Sequence, residues 1–247
     1  MRTRAAGGNL LLVAHGTRDP AGAVVTERIA ALAHRRLGVP VRACYADVRG
    51  PTPAEALADL PGPTVVVPAF LATGYHVRFD VPEQLRATGR LDVVLARAFG
   101  PDPALVAAAA DRLAEAGSGP DDGVVLAVAA SNDPRARADG ARAARRLGLL
   151  LGRPVMLAPI VLGDPRVACG TEHRRRPGVR DVVARLRAEG ARRVAVASWL
   201  LAPGLFQRNL ERCGADAVAA PLADHPAVLT VLADRYAGAL AAQARPA

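Results

Sequence analysis

Short apolar runs alternate with longer segments rich in Ala and Arg along the whole chain. The apolar runs are rich in Val and Leu and only a few residues long, which is typical of strands, whereas the intervening segments have the apolar spacing of helices. Regular alternation of this kind indicates βαβ units and therefore a parallel sheet. The predicted strands span residues 9–14, 41–45, 64–68, 92–97, 123–128, 154–158, 193–197 and 215–219.

The second half of the chain repeats motifs of the first half in the same order. LLVAHGTRDPAG at 11–22 resembles LAVAASNDPRAR at 126–137, and AFLATGYHVRFD at 69–80 resembles WLLAPGLFQRNL at 199–210. A third pair follows, FGPDPALVAAAADRL with LADHPAVLTVLADRY. Tandem similarity of this kind predicts two copies of one structural unit.

We therefore predict an α/β protein with two tandem domains, each a small parallel sheet flanked by helices, related by a pseudo-two-fold. The first domain spans residues 1–117 and the second spans residues 123–247. The segment EAGSGPDDG joins them, and its content of Gly, Pro and Asp is typical of a linker.

Two of the matched motifs hold a histidine only in their first copy. His15 is aligned with Ala129, and His76 is aligned with Phe206. The asymmetry favours a first domain that carries the chemistry and a degenerate second domain that completes the cleft. Alternatively, both histidines are ordinary loop residues bonded to backbone, and position alone supports the two interpretations about equally.

The predicted topology brings these histidines to one edge of a sheet. His15 follows the first strand and His76 follows the third, and ligands of open α/β sheets bind beyond the carboxyl ends of the strands. Neutral imidazoles bind divalent iron, cobalt or nickel, and they accept protons near neutral pH. Asp47, after the second strand, could add a carboxylate, or it could cap the turn before Pro51.

Composition narrows the class of ligand. The 247 residues carry a formal net charge of +9, and aromatic residues make up 3% of the chain. The arginines are scattered apart from the cluster at 173–180, and no aromatic residues are interleaved with them, which argues against a nucleic-acid surface. The excess positive charge instead suits a small acidic partner such as a polycarboxylate.

Several other classes of site and compartment are disfavoured. The chain has no dinucleotide or phosphate-loop fingerprint and no GxSxG motif. Cys44, Cys169 and Cys213 lie far apart and match no zinc spacing. Because no apolar run is long enough for a membrane span or a signal peptide, we expect a cytoplasmic protein that does not contact a membrane.

The motifs LLLVAHGTRDPAG, AFLATGYHVRFDVPE and ASWLLAPGLFQRNL resemble those of the sirohydrochlorin chelatase family, the class II tetrapyrrole chelatases. The resemblance covers almost the whole chain and is closest to the long, two-domain actinobacterial type. It implies insertion of a divalent metal into sirohydrochlorin, with ferrous iron for sirohaem preferred and cobalt for cobalamin synthesis as the alternative. It implies no organic cofactor, since the metal is a substrate.

The resemblance also assigns roles to residues. His15 and His76 correspond to the histidines that handle the metal and the protons. Family members often carry glutamate at the position of Asp47, whose shorter side chain would reach the metal directly or through water. The carboxylates of sirohydrochlorin are expected to pair with arginines beside the cleft, namely Arg18, Arg49, Arg78 and, from the second copy, Arg208.

Other functions stay open at this point. A non-catalytic tetrapyrrole- or metal-binding protein would tolerate a saturated ligand set, which two unblocked histidines do not suggest. Nickel insertion is less favoured because chelatases of that type are short single-domain chains. A nucleic-acid binder would need neither histidine. Because two fused copies can pair internally, we expect a monomer.

Overall fold

Two four-stranded parallel sheets flanked by helices form the part of the chain that the computed structural model describes, residues 8–161 and 177–243. This arrangement confirms the predicted α/β fold class. Cys169 and most of the basic cluster at 173–180 lie outside the described residues, whereas Cys44 and Cys213 are buried free thiols. None of the described helices combines the length and the hydropathy needed to cross a membrane.

The first sheet has the strand order β2-β1-β3-β4. Its strands are β1 (Asn9–Ala14), β2 (Val41–Tyr45), β3 (Thr64–Pro68) and β4 (Val93–Leu95). Helix α1 (Pro20–Leu37) joins β1 to β2, and α2 (Pro53–Ala58) joins β2 to β3. Between β3 and β4 the chain forms a π-helical segment, His76–Asp80, which continues into α3 (Val81–Ala87).

The second sheet has the equivalent order β6-β5-β7-β8. Its strands are β5 (Gly123–Ala129), β6 (Val155–Ile160), β7 (Val194–Trp199) and β8 (Ala217–Val218). The accompanying helices are α5 (Pro134–Leu151), α6 (Val179–Ala188) and α7 (Leu205–Leu210). The sequence repeat that the motifs indicate therefore corresponds to two sheets with the same topology.

The compact units do not coincide with the predicted domains 1–117 and 123–247. One unit consists of residues 1–100 and 226–247, and the other consists of residues 101–225. Helix α4 (Pro103–Glu115) packs on α5 and β7, and α8 (Pro226–Gln243) packs on α1 and β3. In the first unit, for example, the Arg235 guanidinium on α8 donates to the Ala98 and Phe99 carbonyls at 2.9 and 3.1 Å. The last helix of each sequence repeat thus belongs to the other unit.

Burial and capping explain why these segments form these elements. Leu10–Val13 in β1 and all of β3 are buried, as expected for strands covered by helices on both faces. Three long helices begin with an Asp-Pro pair, in which the carboxylate accepts from a backbone N–H of the first turn and proline occupies the first helical position. These caps are Asp19, Asp102 and Asp133, with bonds of 3.0, 2.9 and 2.8 Å.

The predicted strand bounds hold best for the first three strands of the first sheet. The first three predicted strands match β1, β2 and β3, whereas 92–97 and 215–219 are shorter in the structure, as β4 and β8. Both shortened strands lie at a sheet edge, but β2 is also an edge strand and has its predicted length.

Gly16, directly after His15, lies so close to the backbone of the loop after β2 that a side chain has no room there. Its φ is +98°, and a Cβ atom there would lie 2.1 Å from the Asp47 carbonyl oxygen. Gly38, which ends α1, also has a positive φ of +69° but has open space where its Cβ would be. Comparing substitutions at the two glycines therefore distinguishes the cost of backbone strain, which both positions share, from the cost of steric clash, which arises only at Gly16.

We expect Gly16→Ala to destabilise the fold more than Gly38→Ala does. Both variants carry backbone strain of roughly 1–2 kcal/mol, and the clash at Gly16 adds at least ~1 kcal/mol. Urea unfolding of the two variants and the parent measures the difference. Equal losses of unfolding free energy would show that the loop after β2 does not press on Gly16.

Candidate functional site

The site is built where two adjacent parallel strands end. Val13 of β1 is paired with Pro68 of β3, and the Ala69 N–H donates to the Val13 carbonyl at 2.8 Å. The segments that follow β1 and β3 consequently start side by side at the same edge of the first sheet. His15 is the first residue beyond β1, and the segment after β3 leads to His76.

The structure brings the two predicted histidines together. The centroids of the His15 and His76 rings are 4.5 Å apart, and the ring planes are nearly perpendicular, at 82°. Phe70 lies beside both, 6.3 Å from His15 and 6.1 Å from His76 between ring centroids. His15 is exposed, and the His76 side chain is 32% exposed, so both imidazoles are accessible to a ligand.

Each histidine has a hydrogen-bond partner at Nδ1. Nδ1 of His15 lies 3.2 Å from the Gly16 carbonyl oxygen, and because a carbonyl can only accept, this nitrogen donates. Nδ1 of His76 lies 2.8 Å from a carboxylate oxygen of Asp80, one turn further along. The nitrogen left available on each ring is therefore Nε2.

Asp80 is held from two sides. One oxygen faces His76, and the other accepts from the Gln84 amide at 2.8 Å. Partial burial raises the pKa of Asp80, but the hydrogen bonds from His76 and Gln84 outweigh it and hold the pKa below its ordinary value. The carboxylate is thus ionised at neutral pH and acts only as an acceptor.

The histidine lies in a π-helical turn. The Val81 N–H donates to the His76 carbonyl, five residues back, instead of to the residue four back. Such turns are rare and often occur at functional sites. Here the π-helical segment carries both His76 and Asp80.

Asp47 does not join the histidines in a ligand group. Its carboxylate accepts from the Val48 N–H at 2.7 Å, within a turn in which Val48 has a φ of 72°. Its own N–H donates to the His15 carbonyl at 3.0 Å, which fastens the turn to the end of β1. In residues 8–161 and 177–243 no set of three or more His, Cys, Asp or Glu side chains is arranged to hold a metal ion. In this structure Asp47 therefore has the contacts of a turn-capping residue.

The arginines expected to bind carboxylates occupy different settings. Arg18 is exposed in the turn before α1, three residues after His15. The guanidinium carbon of Arg49 lies 5.0 Å from the ring centroid of Tyr45, and that of Arg78 lies 4.6 Å from the ring centroid of Phe79. Arg208 lies on α7, in the second unit.

Four residues of the site escaped the sequence reasoning. Asp80 and Gln84 form the hydrogen bonds described above, and Tyr75 and Phe79 are 63% and 48% exposed, with ring centroids 5.5 Å apart. In a chain with 3% aromatic residues, two exposed rings beside a histidine form a rare apolar surface. The spacing of four residues between His76, Asp80 and Gln84 is the one signal that the sequence offers for the polar pair, and polar residues on any exposed helix face share it.

The equivalent edge of the second sheet has no imidazole at the matched positions. Ala129 ends β5, and Phe206 lies on α7. Beside Phe206, the buried Gln207 accepts from the Ser198 hydroxyl at 2.7 Å and donates to the Ala219 carbonyl at 3.1 Å. These buried bonds join α7 to its sheet.

Comparison with known proteins shows what the segment that carries this site is similar to. Residues 9–116, which include both histidines, match the family model of CbiX. A sirohydrochlorin cobaltochelatase of Methanococcoides burtonii is 38% identical over 82 residues, which are 31% of this chain and 63% of that protein. The match thus spans less than two thirds of the length of that curated relative.

Two solved structures share the fold over nearly the whole chain. SirB from Bacillus subtilis with Fe³⁺ has a TM-score of 0.77 at 20% identity, with 97% of this chain and 98% of that chain covered. The sirohydrochlorin chelatase SirB from Bacillus subtilis subspecies spizizenii in complex with cobalt has a TM-score of 0.71 at 19% identity, with 94% and 95% covered. The resemblance predicted from the motifs is confirmed: residues 9–116 are similar to the CbiX family and to curated sirohydrochlorin cobaltochelatases.

Proposed function

We propose that this chain is a sirohydrochlorin chelatase that inserts a divalent metal ion into the tetrapyrrole. The observation that carries the proposal is the pair of accessible imidazoles, 4.5 Å apart at one sheet edge. The match of residues 9–116, the segment that contains both histidines, to the CbiX family model supports it. The names of the curated relatives support the same substrate.

Two imidazoles suit the steps of metal insertion. The metal must lose water and pass to the macrocycle, so it has to be held more loosely than a structural zinc with four protein ligands. Two pyrrole N–H protons must leave as the metal enters, and neutral imidazoles can accept them. We assign the metal and the protons to His15 and His76. Asp47 would bind the metal only if its carboxylate gave up the hydrogen bond from the Val48 N–H.

Arginines and exposed rings provide the remaining contacts for the substrate. Sirohydrochlorin combines a flat apolar ring with carboxylates at its rim, and the first unit carries exposed aromatic rings and guanidinium groups on the segments that follow its first three strands. We assign carboxylate pairing to Arg18, Arg49 and Arg78, and we retain Arg208 as a proposed contact. Tyr75 and Phe79 would pack against the ring.

We propose ferrous iron as the metal, with cobalt insertion as the second candidate. Imidazole ligands accept both ions, so ligand chemistry does not separate them. SirB has been solved with Fe³⁺ and with cobalt, and the curated relatives are named cobaltochelatases, so each candidate has support among the similar proteins. An anaerobic comparison of insertion rates for ferrous, cobaltous and nickel ions should rank iron first, and a faster rate with cobalt would overturn that choice.

His15→Ala and His76→Ala should each lower the rate of metal insertion by about 100-fold or more, because each removes a group that holds metal or accepts a proton. The rate is measured anaerobically from the change in the visible spectrum of sirohydrochlorin. His34→Ala is the matched control, since His34 lies on α1 and its Nδ1 contacts the Val39 carbonyl at 2.7 Å.

The histidine variants also test the alternatives. Parent rates in both variants would place the site elsewhere. A parent protein that binds sirohydrochlorin and metal but does not accelerate insertion would be the non-catalytic carrier instead.

Arg49→Ala and Arg78→Ala should raise the KM for sirohydrochlorin several-fold with little change in kcat, because a carboxylate contact remote from the metal binds substrate and transition state alike. Arg86→Ala is the charge-matched control, since Arg86 lies on α3 in an exposed ion pair with Glu83. An equal rise in KM for all three variants would mean that only net charge matters.

A further inference from the structure

A directed chain of hydrogen bonds leads from the sheet to His76. The Gln84 amide nitrogen donates to the Ala46 carbonyl at 2.9 Å and to one oxygen of Asp80 at 2.8 Å. The other oxygen of Asp80 lies 2.8 Å from Nδ1 of His76. Ala46 itself is fixed, because its N–H donates to the Ala14 carbonyl at the end of β1, at 2.9 Å.

The direction of this chain is set at its first member. A backbone carbonyl can only accept, so the group that Gln84 turns towards Ala46 must be its NH₂. That NH₂ has two hydrogens, and the second one points to Asp80, which accepts. Asp80 can therefore only accept a hydrogen bond from His76, so the proton of the neutral imidazole lies on Nδ1.

We propose that Asp80 and Gln84 are a positioning pair that keeps the proton of His76 on Nδ1 and leaves the lone pair of Nε2 for the incoming metal. The consequence for metal insertion depends on the proposed function, whereas the tautomer itself does not. A carboxylate on the second nitrogen of a metal-binding histidine also orients the ring and increases its basicity. The pair touches the metal only through His76.

Asp80→Asn tests the proposal directly, because the hydrogen bond from Gln84 determines the orientation of the new asparagine amide. The Gln84 NH₂ still needs an acceptor, so the asparagine places its oxygen there and its NH₂ towards His76. Nδ1 must then accept, and the proton moves to Nε2, where it blocks the metal. The same kind of substitution in the serine protease triad leaves the geometry intact and imposes the wrong tautomer.

A second substitution should reverse the effect. In Asp80→Asn with Gln84→Met, the side chain at 84 keeps a similar length but no longer demands an acceptor. The asparagine amide can then rotate, present its oxygen to Nδ1 and restore the original tautomer. A role in packing or net charge alone predicts no such recovery, because the double variant loses a further polar contact.

The experiment measures tautomer, metal binding and activity in the parent, in Asp80→Asn, in Gln84→Met and in the double variant. Nitrogen-15 NMR of the His76 ring, at an alkaline pH where imidazoles are neutral, reports which nitrogen carries the proton. Titration with Co²⁺ alone gives the dissociation constant of the metal. Circular dichroism establishes that all four proteins are folded.

We expect Nδ1–H in the parent, in Gln84→Met and in the double variant, and Nε2–H in Asp80→Asn. The dissociation constant for Co²⁺ should rise about 10- to 100-fold in Asp80→Asn and return most of the way to the parent value in the double variant. Gln84→Met alone should change it only a few-fold, because Asp80 still accepts from His76.

Two outcomes would overturn the proposal. One is Nδ1–H in folded Asp80→Asn, and the other is a double variant that stays in the Nε2–H form. If the tautomers behave as expected but the parent does not accelerate metal insertion, the proposed function fails while the positioning pair stands. If the parent is active and the tautomers do not change, the positioning pair fails alone.

Discussion

The pairing of β1 with β3 is the constraint on which the site depends. Both strands are buried in the first sheet, and their register fixes where the residues beyond them begin. A slip of one residue would turn every side chain of the strand to the opposite face, so the packing of the core forbids it. The contact between His15 and His76 is therefore enforced by apolar burial, although neither histidine belongs to the core.

The second unit has the topology of the first without its two histidines. It has the same strand order, and α5 has the same Asp-Pro cap as α1. At the matched positions it has Ala129 and Phe206 in place of the imidazoles. The residues that determine the fold of each repeat are thus different from the residues that form the site.

Features that follow from burial and capping could be predicted from the sequence. Strands covered on both faces read as continuous apolar runs, as β3 does, and parallel topology then implies that His15 and His76 meet at one edge. The sequence could not predict that α4 of the first repeat packs in the second unit and that α8 of the second repeat packs in the first. The last helix of a repeat is equally apolar wherever it packs.

The supporting residues of the site could not be predicted for a different reason. A π-helical turn has no periodic pattern of its own, and Asp80 and Gln84 have the spacing of polar residues on any exposed helix face. Asp47 was ambiguous because a carboxylate after a strand suits both a turn and a metal. In the structure its carboxylate accepts from the Val48 N–H, inside a turn in which Val48 has a positive φ, and no pattern in the sequence predicts that turn.

An ion that is a substrate places opposing demands on its ligands. It must arrive and leave, which requires accessible side chains, yet accepting it in one geometry requires side chains that do not rotate freely. The two histidines that we propose as its ligands differ in how firmly they are held. Nδ1 of His76 is fixed by Asp80, which Gln84 holds in turn, whereas His15 is exposed and its Nδ1 contacts only the carbonyl of the next residue, at 3.2 Å. One constrained and one less constrained ligand can receive an ion without retaining it, which a pair of equally rigid imidazoles would do less readily.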